Sequence, residues 1–147
     1  MKISTLILFS FLILTNLSIG QGGINDHIKN DFPLIYSIIN RQAKDKYPND
    51  HVKQMYVIKE QCDACYYILI PNEYIQNLRK DIPPDVWTKT WTDTFNKFSK
   101  KDLKNAPCNN IEVNKNKLDC MYSYALVDWV LVKFEIKEQI DAYKKMH

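Results

Sequence analysis

The sequence predicts an α+β domain in which an antiparallel β-sheet packs one face against one long α-helix. Three observations support this fold class. One early segment has apolar residues at helical spacing, and two later segments have the composition or alternation of β-hairpins. Between the hairpins lies a polar stretch with one helical pattern, which we interpret as an insertion. At 147 residues, the chain can bury one core but is too short for two ordinary domains.

Residues 1–20 have the features of a secretory signal peptide, and residues 21–147 are predicted to form the single domain. One lysine precedes an apolar run at positions 3–14, and small residues follow at Ser18 and Gly20. This run is shorter than the roughly 20 apolar residues that span a bilayer. We therefore predict cleavage before Gln21, secretion, and no membrane insertion once the leader is removed.

The long helix is the first predicted element of the domain. Asp31 stands where an N-cap residue would, and Pro33 takes an early helical position, where its missing N–H does no harm. The apolar face of this helix comprises Ile35, Ile38, Ile39 and Ala43. The turn residues Tyr-Pro-Asn-Asp at positions 47–50 predict its end.

The first hairpin is predicted from residues 52–61 and 66–70, because the returning segment Tyr-Tyr-Ile-Leu-Ile consists of residue types that favour sheets. Its tip would be Cys62-Asp63-Ala64-Cys65. Pro71 would end the second strand, since proline cannot donate to a strand ladder.

The insertion contains one predicted helix, which starts near Asp85 after two prolines. Aromatic residues recur along it at steps of four, four and three: Trp87, Trp91, Phe95 and Phe98. Such a face suits either a platform for a sugar or lipid or packing against the helix's own domain, and we predict packing. Residues 100–117 are predicted to be a long loop.

The second hairpin is predicted from an alternation with a period of two. Its tip would be Asp128-Trp129. The alternating residues are Tyr122, Tyr124 and Leu126 before the tip, and Val130, Val132, Phe134 and Ile136 after it.

Composition and motifs argue against an enzyme, a cofactor or a nucleic-acid partner. Removing Lys2 with the leader lowers the formal charge from +3 to +2, which is too small to indicate a nucleic-acid-binding surface. A redox role for Cys62 and Cys65 would need a helix N-terminus at the first cysteine, whereas the strand-like segment Tyr-Tyr-Ile-Leu-Ile follows the motif here. Cys108 and Cys120 are too far apart to complete an ordinary zinc site. The histidines lie in no recognisable catalytic setting.

Several short patterns resemble those of the cystatins, which inhibit papain-like cysteine proteases. Asn40-Arg41, Asp45 and Tyr47 resemble the Asn-Lys, Asp and Tyr that close the cystatin helix. The segment from Gln61 to Cys65 stands where that family has Gln-x-Val-x-Gly, and residues 120–129 are similar to its run of Cys, alternating aromatics and Ala-Val before Pro-Trp. The order of these patterns agrees from Gly22 to about Ile136.

The resemblance implies a cystatin-like sheet wrapped around the long helix, and a secreted inhibitor whose partner is a papain-like cysteine protease. Three edges would enter the active-site cleft of the protease and cover its catalytic cysteine. Carried over to this chain, the edges are Gly22 or Gly23, the first tip (Gln61, Cys62, Asp63, Ala64 and Cys65), and the second tip (Asp128 and Trp129).

Three motif residues differ from the family pattern: Asp63 replaces its valine, Cys65 its glycine and Asp128 its proline. These differences leave a second hypothesis open. In that hypothesis, the protein is a secreted binding module that has lost the protease wedge, with the aromatic helix or the cysteine tip serving another partner.

Four cysteines lie beyond the leader: Cys62, Cys65, Cys108 and Cys120. In a secreted protein an even number predicts disulfides, so we expect two bridges. If Cys108 pairs with Cys120, Cys62 and Cys65 would be bridged across the first tip. The two other pairings would tie that tip to the insertion. The sequence does not choose among the three.

Overall fold

The computed structural model of the protein describes residues 23–111 and 114–147. These residues form helices and no β-strand. The α-helices are α1 (Ile24–Asp31), α2 (Pro33–Lys46), α3 (His51–Leu69), α4 (Glu73–Arg79), α5 (Pro84–Phe98), α6 (Lys115–Ala125) and α7 (Trp129–Met146), and a short 3₁₀-helix (Leu103–Asn105) lies between α5 and α6. The predicted α+β fold, with a cystatin-like sheet around one helix, is therefore wrong.

Helix α3 occupies all but the last residue of the segment that was predicted to be the first hairpin, and that residue, Ile70, is its C-cap. Asp50 caps it, because its Oδ1 accepts a hydrogen bond from the backbone N–H of Lys53 at 2.9 Å. Its buried side chains fall at helical spacing rather than alternating: Gln54, Cys62, Ala64, Cys65 and Ile68. The β-branched and aromatic residues of this segment cost a helix only about 0.7 kcal/mol each, which burial of one apolar face outweighs.

The segment predicted to be the second hairpin is divided between α6 and α7. Leu126, with a left-handed φ of 56°, ends α6, and Asp128 caps α7 by accepting from Leu131 N–H at 3.2 Å. The buried residues of α7 are three or four positions apart: Trp129, Val132, Ile136 and Ile140. Val130 and Phe134, which share the predicted alternation, are 36% and 61% exposed. The helical period therefore fits this segment better than the period of two.

Two helices predicted from the sequence are confirmed. Helix α2 begins at Pro33 and buries Ile35, Ile39 and Ala43, although Asp31 does not cap it. Asp31 is instead the last residue of α1, and Phe32 takes the N-cap position of α2. Helix α5 begins one residue before Asp85, and its aromatic side chains pack against the core, as predicted.

The N-terminus of α2 is capped from a distant helix. Asp119 of α6 is only 4% exposed, and its carboxylate accepts from the backbone N–H groups of Leu34 at 3.0 Å and Ile35 at 2.8 Å. These N–H groups lie in the first turn, where no intrahelical acceptor exists. Burial raises the pKa of Asp119 above its ordinary value of 3.8, and the two N–H groups pull that pKa in the opposite direction.

A disulfide joins Cys108, in the loop before α6, to Cys120, the residue that follows Asp119. With a sequence separation of 12, its closure restricts the unfolded chain by about 3 kcal/mol in the chain-entropy description. The structure thus selects one of the three pairings left open by the sequence. It holds Cys62 and Cys65 as buried free thiols, so the predicted second bridge is not formed.

Helix α3 is central to the fold and packs against α1, α2, α4 and α7, while α5 packs against α7. One aromatic cluster joins the later helices. The ring centroid of Phe95 lies 4.7 Å from that of Tyr122 and 5.7 Å from that of Trp129. This cluster fixes α5 against α6 and α7, and thereby fixes the position of the tryptophans earlier in α5.

Candidate functional site

The structure brings two of the three predicted wedge edges together where α3 meets the start of α7, with Trp129 in the interior and Gln61 and Asp128 half-buried. Gln61 accepts from the backbone N–H of Trp129 at 2.9 Å and donates to Oδ1 of Asp128 at 3.0 Å. Trp129 is only 1% exposed. Gln61 therefore joins α3 to the start of α7, and neither residue presents a tip to a protease.

The other residues of the predicted first tip lie within α3. Cys62, Ala64 and Cys65 are buried, and Asp63 is half-buried and paired with Lys59 at 2.6 Å. Burial raises the pKa of Cys62 to about 12 and the pKa of Cys65 well above its ordinary value. Both thiols are thus protonated at neutral pH and are poor nucleophiles.

The predicted N-terminal edge is only partly described. Gly22, like the predicted leader at residues 1–20, lies outside the described residues. Gly23 is exposed and occupies the N-cap position of α1.

A groove lies where the end of α3, α4 and the first half of α5 meet, and its volume is about 430 Å³. Its walls are mainly apolar and come from three elements and one turn. The apolar lining residues are Ile68 and Leu69 of α3, Ile70 and Pro71 of the turn, Ile75 of α4, and Trp87 and Trp91 of α5. Pockets of this size, with aromatic walls and few polar groups, are typical of small-molecule sites.

Polar groups are confined to four of the lining residues: Gln76 and Arg79 on α4, and Thr88 and Thr92 on α5. All four are exposed. The guanidinium of Arg79 lies 5.7 Å from the ring centroid of Trp87, a distance typical of cation–π contact. Arg79 is the one charged residue in the lining of this groove.

The turn that closes the groove is held by Asn72. Its side-chain nitrogen donates to the carbonyl oxygens of Ile70 at 2.6 Å and Tyr67 at 3.2 Å. Its side-chain oxygen accepts from Ile75 N–H at 3.1 Å and so caps α4. One residue therefore fixes both the turn and the first residues of α4 that line the groove.

Contacts with aromatic side chains of the core also fix the tryptophans of the groove. The ring centroid of Trp91 lies 5.0 Å from that of Phe95 in the core, and the indole N–H of Trp91 donates to the hydroxyl of Tyr122 at 3.4 Å. Trp87 lies 5.7 Å from Trp91. These contacts mean that the aromatic wall is already in place before any ligand binds.

The lining, rather than the volume, distinguishes this groove from the other depressions. Two others have volumes of about 470 and 500 Å³. Acidic and basic side chains both line each of them, including Asp45 in both cases. A mixed lining of this kind is typical of an ordinary solvated surface, whereas the α3–α4–α5 groove combines apolar walls with a single positive charge.

Sequence reasoning noted the tryptophans of α5 but missed α4 and Arg79. The signals for α4 are present: Asn72 at the N-cap, Glu73 in the first turn and Arg79 in the last turn. The groove itself depends on the close approach of three helices, which no local pattern shows.

Among residues 23–111 and 114–147, no cluster of His, Cys, Asp or Glu side chains is arranged to hold a metal ion. None of the helices in that part of the chain has the length and apolar character needed to cross a membrane.

Comparisons of the chain with protein-family models, with curated proteins and with solved structures give no significant match. They neither support nor oppose the resemblance to cystatins in sequence.

Proposed function

We propose that this protein is a secreted helical binding protein that holds a small, largely apolar ligand in the α3–α4–α5 groove. The observation that carries the proposal is the lining: seven apolar residues, two of them tryptophans, surround a space of about 430 Å³. The proposal follows the second hypothesis from the sequence, a secreted binding module, and replaces its cystatin fold with the helical one.

The groove leaves apolar surface in contact with water, and a ligand would cover it. Leu69, Ile70, Ile75 and Trp91 are all half-buried where they line the groove. Covering such surface is favourable by about 25 cal/mol per Å². Because Asn72 and the aromatic cluster already fix the walls, little of that gain is lost in ordering the protein.

Secretion is part of the proposal. The disulfide between Cys108 and Cys120 is the kind of bond that persists in an oxidising compartment. The signal peptide predicted at residues 1–20 supplies the export route. Expression with this leader in a secreting host, followed by N-terminal sequencing of the product, tests both cleavage before Gln21 and export.

Ligand binding is tested with N-phenyl-1-naphthylamine, an uncharged apolar probe whose fluorescence rises when it leaves water. We expect saturable binding to the native protein. The variant Thr88→Trp should block the groove, because Thr88 is exposed and lines it. Asn96→Trp is the matched control, because Asn96 is exposed on the same helix but does not line this groove.

The two variants separate the groove from nonspecific adsorption. Loss of probe binding in Thr88→Trp, with retention in Asn96→Trp, supports the proposal. Equal probe binding by both variants, or no binding by the native protein, contradicts it.

Protease inhibition, which the sequence resemblance implied, is tested separately by titration against papain. The wedge would need Gln61, Cys62 and Trp129 at a protruding rim, whereas Gln61 and Trp129 join α3 to α7 and Cys62 is buried. We therefore expect no inhibition at micromolar concentrations. Active-site-directed inhibition with a nanomolar constant would require a different surface and would overturn this expectation.

A further inference from the structure

We propose that the ligand of the groove is an amphipathic anion, an alkyl or aryl chain that ends in a carboxylate, and that Arg79 binds its headgroup. This inference rests on the proposed function, since it assigns the ligand class of the same groove. The alkyl or aryl part would lie along the tryptophan wall, and the charged end would stay at the solvent-exposed rim.

The groove combines an apolar lining with one positive charge. Arg79 is the only charged residue among those that line it. An uncharged apolar ligand would cover the hydrophobic wall and would leave this cation without a partner. A ligand with one negative end complements both parts of the lining.

The guanidinium of Arg79 is available to bind an anion. Among the described residues, the ion pairs within 4.0 Å do not include Arg79. Its contact is with the face of Trp87, at 5.7 Å, which orients the guanidinium without using its N–H donors in an ion pair. Arginine presents several N–H donors in a planar fork, and this geometry suits two carboxylate oxygens at once.

Two polar side chains near Arg79 can also bind an anionic headgroup. Gln76 lies one turn before Arg79 on α4, and Thr88 lies one residue after Trp87 on α5; both side chains line the groove. An amide N–H and a hydroxyl can each donate to an anionic headgroup. No acidic side chain lines the groove, so nothing in its lining would repel an anion.

The test compares decanoate with decan-1-ol, which share one chain length and differ in the charge of the headgroup. Binding is measured at neutral pH by displacement of N-phenyl-1-naphthylamine. We expect decanoate to bind about tenfold more tightly, which is the contribution of one charge-assisted contact at a partly solvated rim. We also expect this preference to shrink at high salt, because the headgroup is exposed.

The variant Arg79→Gln should remove the preference for decanoate, so that decanoate binds no more tightly than decan-1-ol. Arg41→Gln is the matched control, because Arg41 is the only other arginine in the chain and lies on α2. The Arg41→Gln substitution removes the same charge from the protein, and this variant should still bind decanoate more tightly than decan-1-ol. The reversed charge in Arg79→Glu should instead favour decyltrimethylammonium over decanoate.

The outcomes separate this inference from the proposed function. If both decyl compounds bind equally well, and Arg79→Gln changes neither affinity, the groove binds ligands but the headgroup assignment is wrong. If neither compound nor the uncharged probe binds, the proposed function itself fails, and this inference fails with it. If decyl sulfate binds as tightly as decanoate, the site recognises an anionic headgroup in general, and the restriction to carboxylates is overturned.

Discussion

The cap that Asp119 provides to α2 leads to the sharpest stability prediction. In Asp119→Ala, both first-turn N–H groups lose their acceptor. The N–H of Ile35 would be left buried and unpaired, at a cost of about 1–3 kcal/mol, because Ile35 is only 1% exposed. Leu34 is 51% exposed, so water can replace the acceptor of its N–H at a cost of about 1 kcal/mol. We therefore expect the free energy of unfolding to fall by about 2–4 kcal/mol.

Urea denaturation followed by far-ultraviolet circular dichroism measures this loss. Asp119→Asn is the informative second variant, since its amide oxygen can still accept from one of the two N–H groups. It should lose less stability than Asp119→Ala, about 1–2 kcal/mol. A matched control is Asp93→Ala, which removes an exposed carboxylate that is paired only with Lys89 of the same helix. A loss below about 0.5 kcal/mol in Asp119→Ala, which is the usual effect of a surface substitution, would refute the cap.

The pH dependence gives an independent check on the same carboxyl. Burial raises the pKa of Asp119 in the folded protein above its ordinary value of 3.8. A raised folded-state pKa means that the folded protein binds this proton more tightly than the unfolded chain does. The extra stability that comes from protonation is therefore fully present below pH 3.8 and is lost as the pH rises through the folded pKa, whereas the hydrogen bonds from the two N–H groups remain. The side-chain amide in the Asp119→Asn variant does not titrate. The stability difference between the native protein and this variant should therefore be largest in acid and should narrow towards neutral pH, and a difference that widens would contradict the burial argument.

Three further predictions follow from the core and from the groove. Trp129→Ala should lower the free energy of unfolding, measured by urea denaturation, by about 3–5 kcal/mol, because Trp129 is only 1% exposed. A near-neutral effect on this free energy would show that the indole is not in the core. Cys62 and Cys65 should not react with a thiol reagent in the native protein and should both react after denaturation, because both thiols are buried; rapid native reaction would contradict their burial. Asn72→Ala should weaken probe binding in the groove and lower stability by about 1 kcal/mol, since the closing turn loses its cap; unchanged probe affinity would show that this turn does not shape the groove.

The sequence allowed the helices with clear local signals to be predicted. Helix α2 has Pro33 at its start and apolar residues at steps of four, and α5 has Pro84 and Asp85 at its start and an aromatic stripe along its length. In both helices, the spacing of the buried residues and the residue types indicate the same secondary structure, so a helix was predicted without a competing alternative. The prediction that the stripe of α5 packs on its own domain is confirmed by the burial of Trp87 and Phe95.

The two hairpin predictions were wrong for different reasons: residue type was given more weight than spacing in the first segment, and a period of two was preferred to the helical period in the second. In α3, Cys62, Cys65 and Ile68 follow one another at steps of three, as one buried face of a helix requires. Cysteine, tyrosine and isoleucine suit a strand as well as a buried helix, so composition alone could not separate the two. In α7, Val132 and Ile136 fit both a helical period and a period of two, and the exposure of Val130 and Phe134 shows that the helical period applies.

The candidate site could be predicted only in part, for a different reason. The tryptophans of α5 were visible as a stripe, and the start of α4 at Asn72 carried ordinary helix signals. The groove arises from the packing of α4 and α5 beside the end of α3, which depends on contacts between residues distant in the chain. The cap of α2 by Asp119 is a similar case, since 84 residues separate it from Ile35.

The central claim is that the α3–α4–α5 groove binds the apolar part of a ligand. The most direct test is an NMR measurement of intermolecular nuclear Overhauser effects between the alkyl protons of decanoate and the tryptophan indoles. We expect contacts to Trp87 and Trp91, which line the groove, and none to Trp129, which is buried in the core. Contacts to residues outside the groove, or none at a saturating concentration of decanoate, would contradict it.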